Sequence, residues 1–233
     1  MQWVVWPSLS NRGLVARLLR HQAGTSLVEF AITAPFLIIL LLGSIDIYPL
    51  ILAKSKLNQA TQTSGDLAAS FSQIQQSDIQ NVFAAASQVM QPLPTDTLIL
   101  RISNIYSDGA GHAKVYWSCG QGSLTPFTPN AQVTTTPNGT PIDTLIYLYN
   151  TSSTHNGTNT SFIMVESSYV TNPQAGFIIK TPVNLVGTAF YLPRQSSYVG
   201  PWDGTYNNQP TPPTMATTQQ SVTVGNMVCN FEA

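Results

Sequence analysis

The chain has 233 residues, nine Lys and Arg against ten Asp and Glu, a formal net charge of −1, and 8% charged residues beside 43% hydrophobic ones. Ordinary soluble domains carry about 25% charged residues. No cationic excess is present to neutralise phosphates, which excludes nucleic acid as a partner, and low net charge with ample aromatics excludes a charge-driven disordered chain. A single long apolar run, instead of several, excludes a multi-span membrane protein.

Residues 1–24 contain Arg12, Arg17 and Arg20 and no acid. The apolar run at 30–42, flanked by Leu27, Val28, Ile45 and Ile47, reaches the roughly 20 residues that span a bilayer. Cations ahead of it predict a cytoplasmic N-terminus, with everything beyond about Lys54 outside that membrane. A secretory signal peptide fits less well, because the basic region is long and no small-x-small site follows the run. Pro49 is expected to bend or end the helix just past the membrane.

Residues 50–72 keep a helix-compatible composition, which Gly65 weakens by about 1 kcal/mol relative to Ala. The string Ser77-Asp78-Ile79-Gln80 reads as a capping box. Behind it Ile79, Val82, Phe83, Ala86, Val89 and Met90 repeat at helical spacing until Pro92 and Pro94. From Thr97 the period becomes two. Leu98, Leu100 and Ile102 form one alternating face, a turn cluster follows at 107–111, and Ala113, Val115 and Trp117 form the next, which predicts a hairpin. Further strands are expected at 144–149, 161–170, 187–192 and 221–229. The longest loop, 195–219, contains Pro201, Pro210, Pro212 and Pro213, and loops of that length are usually functional or mobile.

The expected fold class is α+β: a long N-terminal transmembrane and stem helix, a second short helix, then a mostly antiparallel β-sheet domain with long loops. The chain divides into a leader at 1–24, a membrane helix at 25–53, a helical stem and second helix at 54–94, and an extracytoplasmic β-rich domain at 95–233. With that topology the two cysteines, Cys119 and Cys229, lie in an oxidising compartment and are expected to bridge. The alternative is a pair of buried thiols in a reducing one. Two cysteines are too few for a Cys-rich zinc site.

No nucleophile elbow, zincin, P-loop or S-x-x-K motif occurs. His112 and His155 read as exposed polar residues. Asp108, Asp143, Glu166 and Asp203 do not cluster in sequence, and Asn138 and Asn156 read as turn residues. No catalytic residue, metal or cofactor is expected.

Glu29 stands at the edge of the apolar run, where a carboxylate is costly without a partner. The string Gly24-Thr25-Ser-Leu-Val-Glu29-Phe30 resembles the processing site of type IV pilin-like proteins. That resemblance implies cleavage by a prepilin peptidase after Gly24, and pairing of Glu29 with the new α-amino group of a processed neighbour. More widely, Val28-Glu29-Phe30-Ala31, Pro35, the Leu-rich run and Gly43-Ser44-Ile45-Asp46 resemble the TadE/TadG family, minor pseudopilins of the Flp/Tad pilus. The strings Asp66-Leu67, 79–92, 115–118, 165–169 and 191–194 extend the likeness.

The family usually shows Glu where this chain has Asp46, and Pro49 is a departure. The resemblance implies a structural, non-enzymatic role in pilus biogenesis and adhesion. It also implies other pilin-like subunits, the Tad assembly platform and membrane lipid as partners, an inner-membrane location with a periplasmic domain, and incorporation into a pilus. Asp46 has two readings: it faces water at the outer interface, or it pairs with a basic group on an adjacent pilin-like helix. Two rival functions stand beside the pseudopilin, namely an unprocessed single-pass binding protein and a membrane-tethered enzyme acting on polysaccharide.

Overall fold

The computed structural model describes residues 25–107, 112–135, 139, 141–142, 161–173, 176–195, 199–201, 219–224 and 227–232. The leader with Gly24, the turn residues 108–111, the expected strand at 144–149, most of 195–219, and Asp108, Asn138, Asp143, His155, Asn156 and Asp203 lie outside them.

Helix α1 runs Thr25–Ala69, 45 residues, with Pro35 and Pro49 inside it. At 1.5 Å per residue it is about 68 Å long, enough to cross a bilayer and continue well beyond. Of the two outcomes expected at Pro49, bending or ending the helix, the second does not occur. Each proline removes one N–H from the ladder, while the apolar and Ala-containing flanks carry the remaining bonds through. Hydroxyls within the apolar half are satisfied on α1 itself. Thr33 Oγ1 donates to the Glu29 carbonyl at 3.0 Å, and Ser44 Oγ donates to the Leu41 carbonyl at 2.7 Å.

After the short strand β1, Gln73–Ile74, helix α2 spans Gln76–Met90. It begins before the position the Ser77 capping string predicts. Asp78, not Gln80, reaches back to accept the N–H of the N-cap residue Gln75, at 2.9 Å. The buried stripe of α2 is Ile79, Val82, Phe83, Ala86 and Met90.

The strands are β2 (Leu98–Ser107), β3 (Ala113–Gln121), β4 (Ser161–Thr171), β5 (Val183–Tyr191), β6 (Gly200–Pro201), β7 (Gln219–Val224) and β8 (Met227–Glu232). Six of them form one sheet in the order β5-β4-β2-β3-β8-β7. All of its pairings are antiparallel. β1 and β6 pair separately in parallel. The fold is therefore the expected α+β arrangement.

Three strand expectations need correction. Ala113, Val115 and Trp117 do not share a face. The register with β2 passes from Asn104↔Trp117 to Ile105↔Val115 and skips Tyr116. Such a bulge reverses which side chains face which way. Ala113 and Val115 consequently lie in one core, Trp117 and Cys119 in the other. β5 starts at Val183, four residues before 187, because its pairing with β4 extends down to Thr171↔Val183. The segment 221–229 is two strands, β7 and β8, paired Val224↔Met227. The two residues between them are Gly225-Asn226, a hairpin-turn sequence.

The sheet separates two apolar clusters. On one face the distal half of α1 (Ala53, Leu57, Ala60, Ala68) and α2 pack on Leu100, Ile102, Trp117, Ile163 and Val165. On the other, Ile105, Ala113, Val115, Val133, Ile142 and Met164 pack with Phe127, Phe162 and Phe190. Cys119 and Cys229 are in register on β3 and β8 and form a disulfide 110 residues apart in sequence. Within the expected long loop, Val199 is fixed. Its carbonyl accepts Trp117 Nε1–H at 2.6 Å and Asn104 Nδ2–H at 2.7 Å.

Gly65 is explained by contact. A Cβ there would lie 2.3 Å from the Tyr191 ring. Gly65→Ala should thus lower stability by up to about 2 kcal/mol, since overpacking costs roughly 1–3 kcal/mol against a helix-propensity gain of about 1 kcal/mol. Thermal unfolding of the purified full chain checks this. Reduction of the disulfide should release up to about 4–5 kcal/mol of chain-entropy stabilisation, which a denaturant titration with and without reductant measures as a lower midpoint at unchanged pH.

Candidate functional site

The proximal half of α1 presents apolar side chains that remain largely exposed among the described residues. Phe30 is 66% exposed, Phe36 68% and Leu40 69%. Among the described residues α1 is the one helix long and apolar enough to cross a membrane, and 17% of its apolar window is buried inside the protein. A core helix of a soluble domain would be mostly buried. A band this apolar and this exposed requires lipid or other apolar helices around it.

Two carboxylates bracket the band, 17 residues or about 26 Å apart on a helix, close to the roughly 30 Å of a hydrocarbon core. Their surroundings differ. Glu29 is exposed, in the second turn of α1. Thr25 is the first residue of α1, so a chain beginning there would place its amino group one turn from Glu29. Pro35 lies within the band.

Asp46 is fully buried. Its Oδ1 accepts the Gly176 N–H at 3.1 Å, and its Oδ2 accepts the Ile178 N–H at 2.7 Å. The reading in which Asp46 faces water is thereby corrected: its carboxylate is buried and holds two backbone amides of its own chain. A carboxylate on an apolar helix must find donors, and the connector between β4 and β5 supplies them in cis. The sequence analysis missed this connector. Its signal is the apolar triplet Phe177-Ile178-Ile179 between Asn172-Pro173 and Thr181-Pro182, too hydrophobic for a free loop and too short for a strand.

Further contacts join distant motifs. Asp66 on α1 pairs with Arg194, whose N–H donates to the Ala69 carbonyl at 3.0 Å. Lys54 Nζ donates to the Val186 carbonyl at 2.5 Å, and Thr61 and Ser167 share a hydrogen bond of 2.6 Å. On the opposite face of the sheet the Arg101 side chain pairs with buried Glu166, directly across from it in register, and lies 3.7 Å over the Phe127 ring. The two residues are 65 apart in sequence, so no local pattern announces the pair.

This combination defines a class: an α+β protein carried on one continuous helix whose first half is an uncovered apolar band. The family model "TadE-like protein" matches residues 24–66, nearly the whole of α1. The N-terminal segment is therefore TadE-like, which supports a protein associated with the Tad pilus. No curated protein and no solved structure matches the chain.

Asp46→Ala should free the two amides it holds. Leaving them without their charged acceptor costs about 1.5–3 kcal/mol, so hydrogen exchange at Gly176 and Ile178 should quicken by roughly tenfold to a hundredfold while β2 and β3 stay protected.

Proposed function

We propose that this chain is a structural component of a Tad-type pilus, a minor pseudopilin that a prepilin peptidase cleaves between Gly24 and Thr25. The observation that carries this reading is the coincidence of the TadE-like match over 24–66 with an exposed apolar band that opens on Glu29. The band supplies the surface through which pilin-like helices pack in lipid. Glu29 supplies an acceptor for the α-amino group of a processed neighbour, an ion pair that gains strength in a low-dielectric layer. Arg12, Arg17 and Arg20 keep the leader cytoplasmic, and the sheet domain then lies on the other side of the membrane, where Cys119 and Cys229 can oxidise. The helical surface is the functional surface in this reading, and the domain decorates or primes the fibre.

Processing removes three of the nine basic residues and none of the ten acids, so the mature net charge is 6 − 10 = −4. Intact mass measurement of the membrane-fraction protein, in cells with and without the peptidase, should show the shortened species only with it. A full-length species under both conditions favours the unprocessed single-pass binding protein instead. Glu29→Ala should leave cleavage and insertion unchanged and reduce co-purification with other pilin-like subunits at least tenfold. Wild-type recovery of those subunits would refute the pairing role.

A further inference from the structure

The segment that holds Asp46 has an outward side. Phe177 is 57% exposed and Ile178 56%, although Ile178 is also in contact with α1. A Cβ on Gly43 would lie 2.9 Å from Ile178 Cδ1. Phe177 and Ile178 therefore stand beside the apolar run of α1, at the level of residues 43–46.

Contacts along α1 fix which end of the domain this is. In order along the helix, Asp46 meets Gly176 and Ile178, Lys54 meets Val186, Thr61 meets Ser167, Gly65 meets Tyr191 and Ala69 meets Arg194. β5 thus climbs away from the apolar band as α1 does, and the β4–β5 connector is the part of the domain nearest to it. Asp46 lies about 24 Å along the helix from Phe30, at the far edge of a hydrocarbon layer about 30 Å thick. An exposed Phe-Ile pair at that level, continuous with the band and followed by exposed Lys180, has the composition of an interfacial anchor: apolar side chains in the acyl boundary and a cation at headgroup height.

We propose that the β4–β5 connector is a second membrane contact, in which Phe177 and Ile178 insert into the outer lipid interface and Asp46 holds them against α1. The proposal rests on the reading of α1 as a membrane-spanning helix. The one-residue grip of Asp46 on two backbone amides turns a loop into a fixed wedge. It ties the sheet to the membrane plane as well as to the helix.

The test uses the full chain in vesicles of phosphatidylethanolamine and phosphatidylglycerol, with nitroxide labels on single introduced cysteines. Cys119 and Cys229 are bonded to each other and do not react. Phe36→Cys reports on α1, Phe177→Cys on the connector, and Leu192→Cys, an exposed position just past the far end of β5, on the aqueous side. The labels at 36 and 177 should collide more with oxygen than with a water-soluble nickel chelate, and the label at 192 the reverse.

A label at 177 that behaves like 192 while 36 stays in lipid overturns the proposal and leaves the anchoring of α1 intact. A label at 177 shielded from both quenchers means a protein covers the site, which also overturns it. Aqueous behaviour at 36 defeats the reading of α1 itself. Adding Asp46→Ala should move the label at 177 toward the chelate at least threefold, with 36 unaffected. No change there removes Asp46 as the positioning residue.

Discussion

One helix in this protein has to satisfy two solvents. Up to about residue 42, α1 is apolar and mostly exposed, the β4–β5 connector covers Gly43 and Asp46, and from Ala53 onward the helix is the wall of a protein core. The change is made without a break in the helix, so the side chains alone must make it. They do so by size. Ala53, Ala60, Ser64, Gly65, Ala68 and Ala69 are small, and all are buried. Small residues let β4 and β5 approach the helix backbone closely, and Tyr191 fills the space a side chain on Gly65 would take. Asp46 marks the boundary. Its carboxylate could not be left bare in an apolar layer, and the domain reaches down to meet it with two amides.

The rest of the sheet is tied by devices that do not depend on α1. The disulfide fixes β8 against β3, so the C-terminal strand pair joins the sheet beside a strand whose bonded cysteine lies 110 residues upstream. Val199 takes two side-chain donors from β2 and β3 and anchors part of an otherwise long connection. On the face away from the helices, Arg101 and Glu166 join β2 to β4, and Arg101 also donates to the Thr125 carbonyl at 2.9 Å. Removing one partner from such a pair strands the other charge in a dry place, which is costly, whereas an apolar replacement of both is often tolerated. The pair therefore specifies register more than it adds stability.

Much of the architecture is written locally. The apolar run, the stripe of α2 and the alternation in β2 are periodic signals within one element, and each corresponds to an element of the structure. The failures are non-local. Nothing around Tyr116 shows that it is skipped, because the bulge lies in the register between β2 and β3 and not in either strand alone. The hairpin of β7 and β8 was hidden because its two-residue connection interrupts the run too briefly to be read as a boundary. The lipid-like neighbours of Asp46 in sequence give no sign that its side chain is buried. Two of its hydrogen-bond donors lie 130 and 132 residues away, beyond any spacing rule. Gly65 is a weakness of the helix by propensity alone, yet Tyr191 of the sheet packs directly against it.

The contacts between α1 and the sheet have a mechanical consequence. They extend from residue 46 to residue 69, a span of about 35 Å along the helix, and involve the β4–β5 connector, both strands and Arg194. A lever held at so many points along its length cannot rotate independently of its load. Any interaction that fixes the rotation of the apolar half of α1, whether with lipid or with a neighbouring helix, also fixes which way the sheet faces. In a chain whose helix and domain were joined by a flexible linker, packing of the helices would leave the domains unordered. In the proposed pseudopilin the helix would carry the orientation of neighbouring helices directly into the domain, through the small-residue face beyond Ala53.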